Sequence, residues 1–289
     1  MTTASQSYRR KDFDPVWCPG CGYYGVLHSV EEALGIIGIL PEQTVVVSGI
    51  GCSGRLSHYL NTYSLHGTHG RALPIATGVK TARPDLTTIV VGGEGDVLGI
   101  GGGHLPHAAR KNVDLTLLLL DNNTYGMTKG QSSPTTPWGC VTKTSPYGSA
   151  EDALDVLPIL IAYDVSFVAR TASTRREEMA GIIAEAIKHP GFSVVHILSP
   201  CVTFPVVGWK DVRDKLHDLP MDHNPRDKRA AMEIAYTNST IYTGVVYCIE
   251  KPILSSRLEH LNESALKHYS AGFSGGRKPS ITRLMERYM

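Results

Sequence analysis

Cys18 and Cys21 stand in the stretch WCPGCG, separated by Pro19 and Gly20 and followed by Gly22. Two thiols at this spacing suit zinc, an iron–sulfur cluster or a redox disulfide. Cys52 and Cys201 are lone cysteines in glycine- and proline-marked segments, GIGCSGR and SPC. Cys140 and Cys248 have no partner pattern and read as ordinary thiols. A second constellation is built from oxygen. Glu94 and Asp96 lie in GEGD, ahead of a glycine-rich turn that opens a helix. Glycine amides and a helix N-terminus attract phosphate. Carboxylates repel it, so the pair implies a cation between protein and phosphate. Mg²⁺ wants oxygen ligands and bridges carboxylate to diphosphate. The Asn122 amide oxygen and the Thr124 backbone carbonyl, in DNNTYGMTKGQ, are suitable further ligands. Taken alone, GEGD is also a strand-to-helix turn and DNN is also a turn.

Elements must bring these segments together. Short β-branched or aliphatic runs predict strands at Gln43–Ser48, Thr87–Val91, Leu115–Leu120, Ser166–Ala169 and Phe192–Leu198. Between them, helices are expected over Ala72–Ala82, Gly102–Lys111, Glu151–Tyr163 (bent or split at Pro158) and Thr174–His189. Alternating strands and helices predict an α/β fold, a doubly wound, mostly parallel sheet covered on both faces. Ligands of such sheets bind beyond the carboxyl ends of the strands. GIGCSGR follows the first strand, GGEGDVLGIGGGH the second, DNNTYGMTKGQ the third and SPC the fifth. Four unusual segments therefore meet at one rim. From about Val202 the pattern weakens to one expected helix, Ala230–Tyr236, and a polar tail.

The 289 residues carry 28 Lys and Arg against 27 Asp and Glu, without the basic footprint of a nucleic-acid binder. The longest aliphatic run, Leu115–Leu120, is too short to span a bilayer. MTTASQSYRRKDFD lacks the apolar core of a signal peptide, which gives a cytoplasmic expectation. In that compartment cysteines serve metals or catalysis more than disulfides. Zinc ribbons pair two short-spaced motifs, and only one such pair is present. CPGC precedes the first strand, against the thioredoxin arrangement. His104 and His107 are spaced for a metal but lack a third ligand, so helix packing is the plainer reading.

The strings WCPGCGYYGVLHSV, GIGCSGR, HGTHGRALPIATGVK, GEGDVLGIGGGHLPHAARKNVDLT and DNNTYGMTKGQSSPTT resemble the β subunits of the 2-oxoacid:ferredoxin oxidoreductases. GEGD followed by NN resembles the thiamine diphosphate signature of that fold. The resemblance runs in order from Trp17 to Phe204. It implies thiamine diphosphate, Mg²⁺ and one [4Fe–4S] cluster as cofactors, in a domain over residues 1–204. Residues 205–289 form an extension that packs on the core or a partner. The implied cluster ligands are Cys18, Cys21, Cys52 and Cys201; the implied Mg²⁺ ligands are Glu94, Asn122 and Thr124. The family has Asp where this sequence has Glu94; the longer carboxylate can still reach Mg²⁺, or Asp96 takes over. Ile50, Gly51, Cys52 and Ser53 fall to the cofactor by the same resemblance, as do His69, Gly93 and Gly95. Tyr125, Gly126, Met127 and Thr128 join them. His69 and Arg55 are the implied catalytic residues, Arg55 as a fork for a substrate carboxylate. The implied reaction is CoA-dependent oxidative decarboxylation of a 2-oxoacid, or its reverse, with electrons leaving for ferredoxin. An α subunit supplies the aminopyrimidine-activating Glu, in an αβ heterodimer or a dimer of it. The form GCSGR resembles the 2-oxoglutarate branch.

Overall fold

The computed structural model describes residues 8–237 and 239–272, with side chains through Ser264. Residues 1–7 and the end of the expected polar tail, 273–289, lie outside the described residues. In chain order the elements are α1 (Tyr23–Ile37), β1 (Thr44–Ser48), β2 (Tyr63–His66), α2 (Ala72–Ala82), β3 (Thr87–Gly93), α3 (Leu105–Lys111) and β4 (Leu115–Asp121). The short hairpin strands β5 (Thr124–Tyr125) and β6 (Gln131–Ser132) follow, then α4 (Val156–Ala162), β7 (Phe167–Ala172), α5 (Arg176–Lys188) and β8 (Phe192–Leu198). The C-terminal part contains α6 (Trp209–Arg213), β9 (Leu216–Asp218), α7 (Lys228–Ala235), β10 (Ile241–Cys248) and α8 (Leu254–Gly272).

An eight-stranded sheet in the order β2-β1-β3-β4-β8-β7-β10-β9 forms the centre. All pairings are parallel except β10 against β7. The expected doubly wound α/β architecture is therefore present. Strand side chains alternate between two cores, as period-2 geometry requires. Val45, Val47, Leu117, Leu119 and Val194 pack beneath α2, α3 and α4. Val46, Ile89, Leu118, Leu120 and Ile197 pack beneath α1 and α5. The strands at the centre read as continuous apolar runs because both faces are covered; β4 is buried along its whole length.

All five expected strands are present, β3, β4 and β7 extending past their expected ends. The expected helix over Glu151–Tyr163 starts only at Val156, because Asp155 is extended. Pro158 sits in the first turn, where its missing N–H costs nothing, so it does not bend the helix. The expected helix from Gly102 is a 3₁₀ turn before α3 starts at Leu105. Several elements were not anticipated, among them α1, β2, β9 and β10. α1 contains Gly25 and Gly35, which weaken helix propensity, yet Val26, Leu27, Val30, Ala33 and Leu34 give it a buried stripe. β2 is exposed along its length. β10 carries Gly244 at φ +127° and a bulge between Val245 and Tyr247, which hide its strand pattern. The C-terminal part thus adds two strands to the same sheet.

One buried side chain fastens that part. Asn112, fully buried with φ +48°, accepts from the Phe192 amide (2.9 Å) and the Ser166 hydroxyl (2.8 Å). Its Nδ2 donates to the Lys251 carbonyl (3.0 Å), just ahead of α8. Asn also tolerates the left-handed conformation better than Ala. Asn112→Ala strands buried polar groups and should lower unfolding free energy by about 3 kcal/mol. A shifted denaturant midpoint with an unchanged m-value checks it; an unshifted midpoint contradicts it.

Candidate active site

The carboxyl ends of β1, β3, β4 and β8 converge with the Cys18–Cys21 loop around two adjoining cavities. The first, of about 160 Å³, is lined by Ile50, Gly51, Cys52, Ser53, His69, Gly93, Glu94, Gly95 and Asp96 from one side. Asn122, Thr124, Tyr125, Gly126, Met127 and Thr128 line the other, with Tyr23 at the back. Every residue expected at the cofactor lines this cavity. Arg55 does not; it lines the second cavity and a neighbouring cleft.

The two carboxylates of GEGD have different surroundings. Asp96 Oδ1 accepts from the Ile50 amide (3.0 Å) and the Gly70 amide (2.8 Å), and pairs with His69 Nδ1 (2.6 Å). One oxygen thereby joins the loop after β1, the loop before α2 and the imidazole. Asp96 Oδ2 lies against Gly49, where a Cβ would approach to 1.8 Å, so only glycine fits. Through Oδ1 Asp96 is a loop anchor, while its Oδ2 is buried with no hydrogen-bond partner among the described residues. Since a carboxylate only accepts, His69 donates through Nδ1 and keeps Nε2 unpartnered among the described residues.

Glu94 is 2% exposed, and its Oε1 is buried with no hydrogen-bond partner among the described residues. Burial, with the Asp121 carboxylate adding repulsion, pushes its carboxyl up to about 8; the Ser133 hydroxyl and the Asn122 amide oppose the shift. Asn122 Oδ1 accepts from the Thr124 amide (3.1 Å), and the Thr124 carbonyl accepts from the Gly126 amide (2.9 Å). Each oxygen keeps a second lone pair. An orphaned buried carboxylate oxygen beside an amide and a carbonyl oxygen is a hard-oxygen donor set, and it fits Mg²⁺.

The second cavity, of about 240 Å³, is lined by all four expected cysteines, with Trp17, Arg55 and Phe204 among its walls. Cys18 and Cys21 are held by a turn: the Cys21 amide donates to the Cys18 carbonyl (3.0 Å), Pro19 leads, and Gly20 takes φ +81°. These are the marks of a type II turn, whose third residue needs positive φ. The Phe204 amide donates to Cys201 Sγ (3.3 Å), and Trp17 Nε1 donates to the Cys52 carbonyl (2.7 Å). Burial pushes the Cys21 thiol up to about 11, and Cys52, Cys201 and Cys18 add to the shift. Burial and Cys201 also raise Cys52, while Arg55 opposes them. Yet among the described residues no three His, Cys, Asp or Glu side chains close on a point fit for a single metal ion. Four thiols lining one cavity are a soft ligand set of the kind an iron–sulfur cluster takes.

Cys140 and Cys248 line neither cavity. Tyr23 was missed by sequence reading. It is buried, lines both cavities, and accepts from Asn122 Nδ2 (3.1 Å). Its place directly after CPGCG was the available signal.

Comparison with known proteins gives a consistent picture. Residues 49–197 match the family described as thiamine pyrophosphate enzyme, C-terminal TPP binding domain. Residues 201–263 match the family of the C terminal of the pyruvate ferredoxin oxidoreductase beta subunit. The chain is 43% identical to the 2-oxoglutarate synthase subunit KorB of Archaeoglobus fulgidus, over 84% of this chain and 90% of that protein. It is 39% identical to the same subunit of Methanocaldococcus jannaschii, over 89% of this chain and 96% of that protein. A solved structure, 2-oxoglutarate:ferredoxin oxidoreductase from Magnetococcus marinus with 2-oxoglutarate, coenzyme A and succinyl-CoA bound, superposes with a TM-score of 0.90 at 37% identity. That likeness covers 96% of this chain and 97% of the other.

The raised Glu94 carboxyl generates a pH prediction. In the ligand-free chain the native state keeps a proton that the unfolded chain gives up. Its contribution to stability is therefore present below about 4.5 and lost as pH rises through about 8. A divalent cation needs the ionised form, so binding releases that proton. Affinity for Mg²⁺–thiamine diphosphate should rise with pH, up to about tenfold per unit, and level off above about 8. Calorimetric titration at several pH values checks this. Glu94→Gln should bind weakly and lose that part of the pH slope; an unchanged slope in Glu94→Gln would contradict the assignment.

Proposed function

This chain belongs to the β subunits of the 2-oxoacid:ferredoxin oxidoreductases, and from that premise we propose that it carries the cofactor and the first electron acceptor of a 2-oxoglutarate-oxidising enzyme. The observation that carries the reading is the common wall of the two cavities: Tyr23, Cys52, Asn122, Gly126 and Met127 line both. Glu94, Asn122 and Thr124 would hold Mg²⁺ against a diphosphate, while Thr128 and neighbouring backbone amides face its oxygens. Cys18, Cys21, Cys52 and Cys201 would hold a [4Fe–4S] cluster. When bound, thiamine diphosphate supplies the electron sink for loss of CO₂, and the cluster supplies a one-electron path outward.

This chain's residues position and exclude. His69, oriented by Asp96, offers Nε2 at the cavity for a proton or a substrate oxygen. Arg55 is half-buried, makes no ion pair among the described residues, and stands between the thiols and the neighbouring cleft of about 740 Å³. A 2-oxoacid carboxylate suits its fork. The ligands bound in the Magnetococcus marinus enzyme favour 2-oxoglutarate as substrate and CoA as acyl acceptor here. Ferredoxin would take the electrons, and a partner subunit would complete the active site. The exposed apolar side chains of Ile50, Met127 and Ile100 near the cofactor cavity are suited to such a cover. No helix among the described residues is long and apolar enough to cross a membrane.

Two tests follow. Single Ala replacements of Cys18, Cys21, Cys52 and Cys201, purified without oxygen, should each lose iron, whereas Cys140→Ala and Cys248→Ala should keep the full complement. Full iron in any of the first four removes that residue from the ligand set, and a colourless zinc-containing wild type removes the cluster altogether. In the enzyme assembled with its partner, Arg55→Ala should cost about 2–5 kcal/mol in kcat/KM for 2-oxoglutarate, and Arg55→Lys should recover little. Unchanged kcat/KM in Arg55→Ala rules out the clamp; a wild-type preference for pyruvate rules out the substrate.

A further inference from the structure

Beneath the cofactor cavity lies a buried polar pair, one member of which, Asp121, also raises the Glu94 carboxyl by repulsion. Asp121 and His196 are 2% and 4% exposed, on the adjacent strands β4 and β8. His196 Nε2 lies 2.9 Å from Asp121 Oδ2. A carboxylate only accepts, so Nε2 carries the proton and donates. Nδ1 is buried with no partner among the described residues, so the ring serves Asp121 alone. Asp121 Oδ1 accepts from the Asn123 amide (3.0 Å) and the Thr135 hydroxyl (2.7 Å).

The residue these bonds surround sits in a left-handed turn. Asn123 takes φ +59°, a left-handed conformation uncommon outside glycine. Its Nδ2 donates to the Thr135 carbonyl (3.0 Å) and Oγ1 (3.2 Å), and its carbonyl accepts from the Thr136 hydroxyl (2.7 Å). Asn adopts this conformation readily, and with its amide, side chain and carbonyl all bonded the turn is fixed in one shape. Asn123 is flanked by Asn122 and Thr124, whose oxygens face the cavity. With Asn123 extended, those two residues would lie on opposite sides of the chain from their neighbour, and the turn that presents both oxygens would open.

We infer that His196 and Asp121 are a positioning pair for the cation end of the cofactor site. Their bonds hold the Asn123 turn so that Asn122 Oδ1 and the Thr124 carbonyl stay aimed at one point. The inference rests on the reading that these two oxygens bind the cation. Groups behind metal ligands commonly change metal affinity 10- to 100-fold when removed.

The test uses the full chain assembled with its partner subunit, with Mg²⁺ as the probe. The Mg²⁺ concentration for half-maximal thiamine diphosphate binding is measured by calorimetry in wild type, Asp121→Asn and His196→Gln. The expected result is a 10- to 100-fold rise in both variants, with kcat returning to within about threefold of wild type at saturating Mg²⁺. A purely structural defect would not be rescued by the ion. Thr135→Val removes one of Asp121's donors and should raise the requirement in the same direction by less; it carries the test if the buried variants do not fold. An unchanged Mg²⁺ requirement, or a kcat that saturating Mg²⁺ fails to restore, overturns the inference. If wild-type binding is itself independent of divalent cation, the cation reading fails first, and the positioning pair with it.

Discussion

Glu94 is a carboxyl group placed where it has no reason to ionise. It is buried at the end of β3, faces the Asp121 carboxylate, and leaves one oxygen without a donor. Folding alone gains nothing from this arrangement, because desolvation and like-charge repulsion both act against it. A divalent cation reverses both effects at once. The surrounding structure fits that purpose. One oxygen of the other carboxylate of GEGD is occupied with backbone amides, and Asn122 and Thr124 flank a bonded left-handed turn at Asn123. The parallel sheet is what brings these groups together, since β3 and β4 are neighbours and end side by side.

The sheet was legible in the sequence because its central strands are buried on both faces. Runs such as TTIVV and LTLLLL have no polar side to confuse the pattern. β2 and β10 were not legible for the converse reason. β2 has no buried face, and β10 depends on pairing with β7, a contact that lies far away in sequence and is interrupted by a bulge. The helix α1 was obscured by its glycines and rescued by tertiary packing against α5.

The candidate site was legible where one residue type has few structural uses. Cysteines in CPGC and a carboxylate among glycines stand out against any background. Supporting residues did not stand out. Tyr23 reads as a core aromatic until its hydroxyl is seen on Asn122. Asp121 looks like part of a turn, and His196 is one polar residue within FSVVHIL. A lone histidine inside a strand buried on both faces was the signal, because an unpaired imidazole there is costly. The choice between Glu94 and Asp96 could not come from spacing, since both lie in one motif. It came from geometry: Asp96 Oδ1 is held by two amides and His69 and its free Oδ2 is packed against Gly49, whereas Glu94 lines the cavity with its Oε1 unpartnered among the described residues.

The common wall between the cavities has a mechanical consequence. Asn122 presents its oxygen toward the cation site while its amide nitrogen bonds Tyr23, and Tyr23 also borders the thiols. Gly126 is equally placed: a Cβ there would sit 3.4 Å from Cys201 Sγ and 3.7 Å from Asn122 Nδ2. The two cavities thus share side chains along their common border. Asn122 and Tyr23 are joined by one hydrogen bond and border both cavities, so a displacement of either side chain reaches both sites.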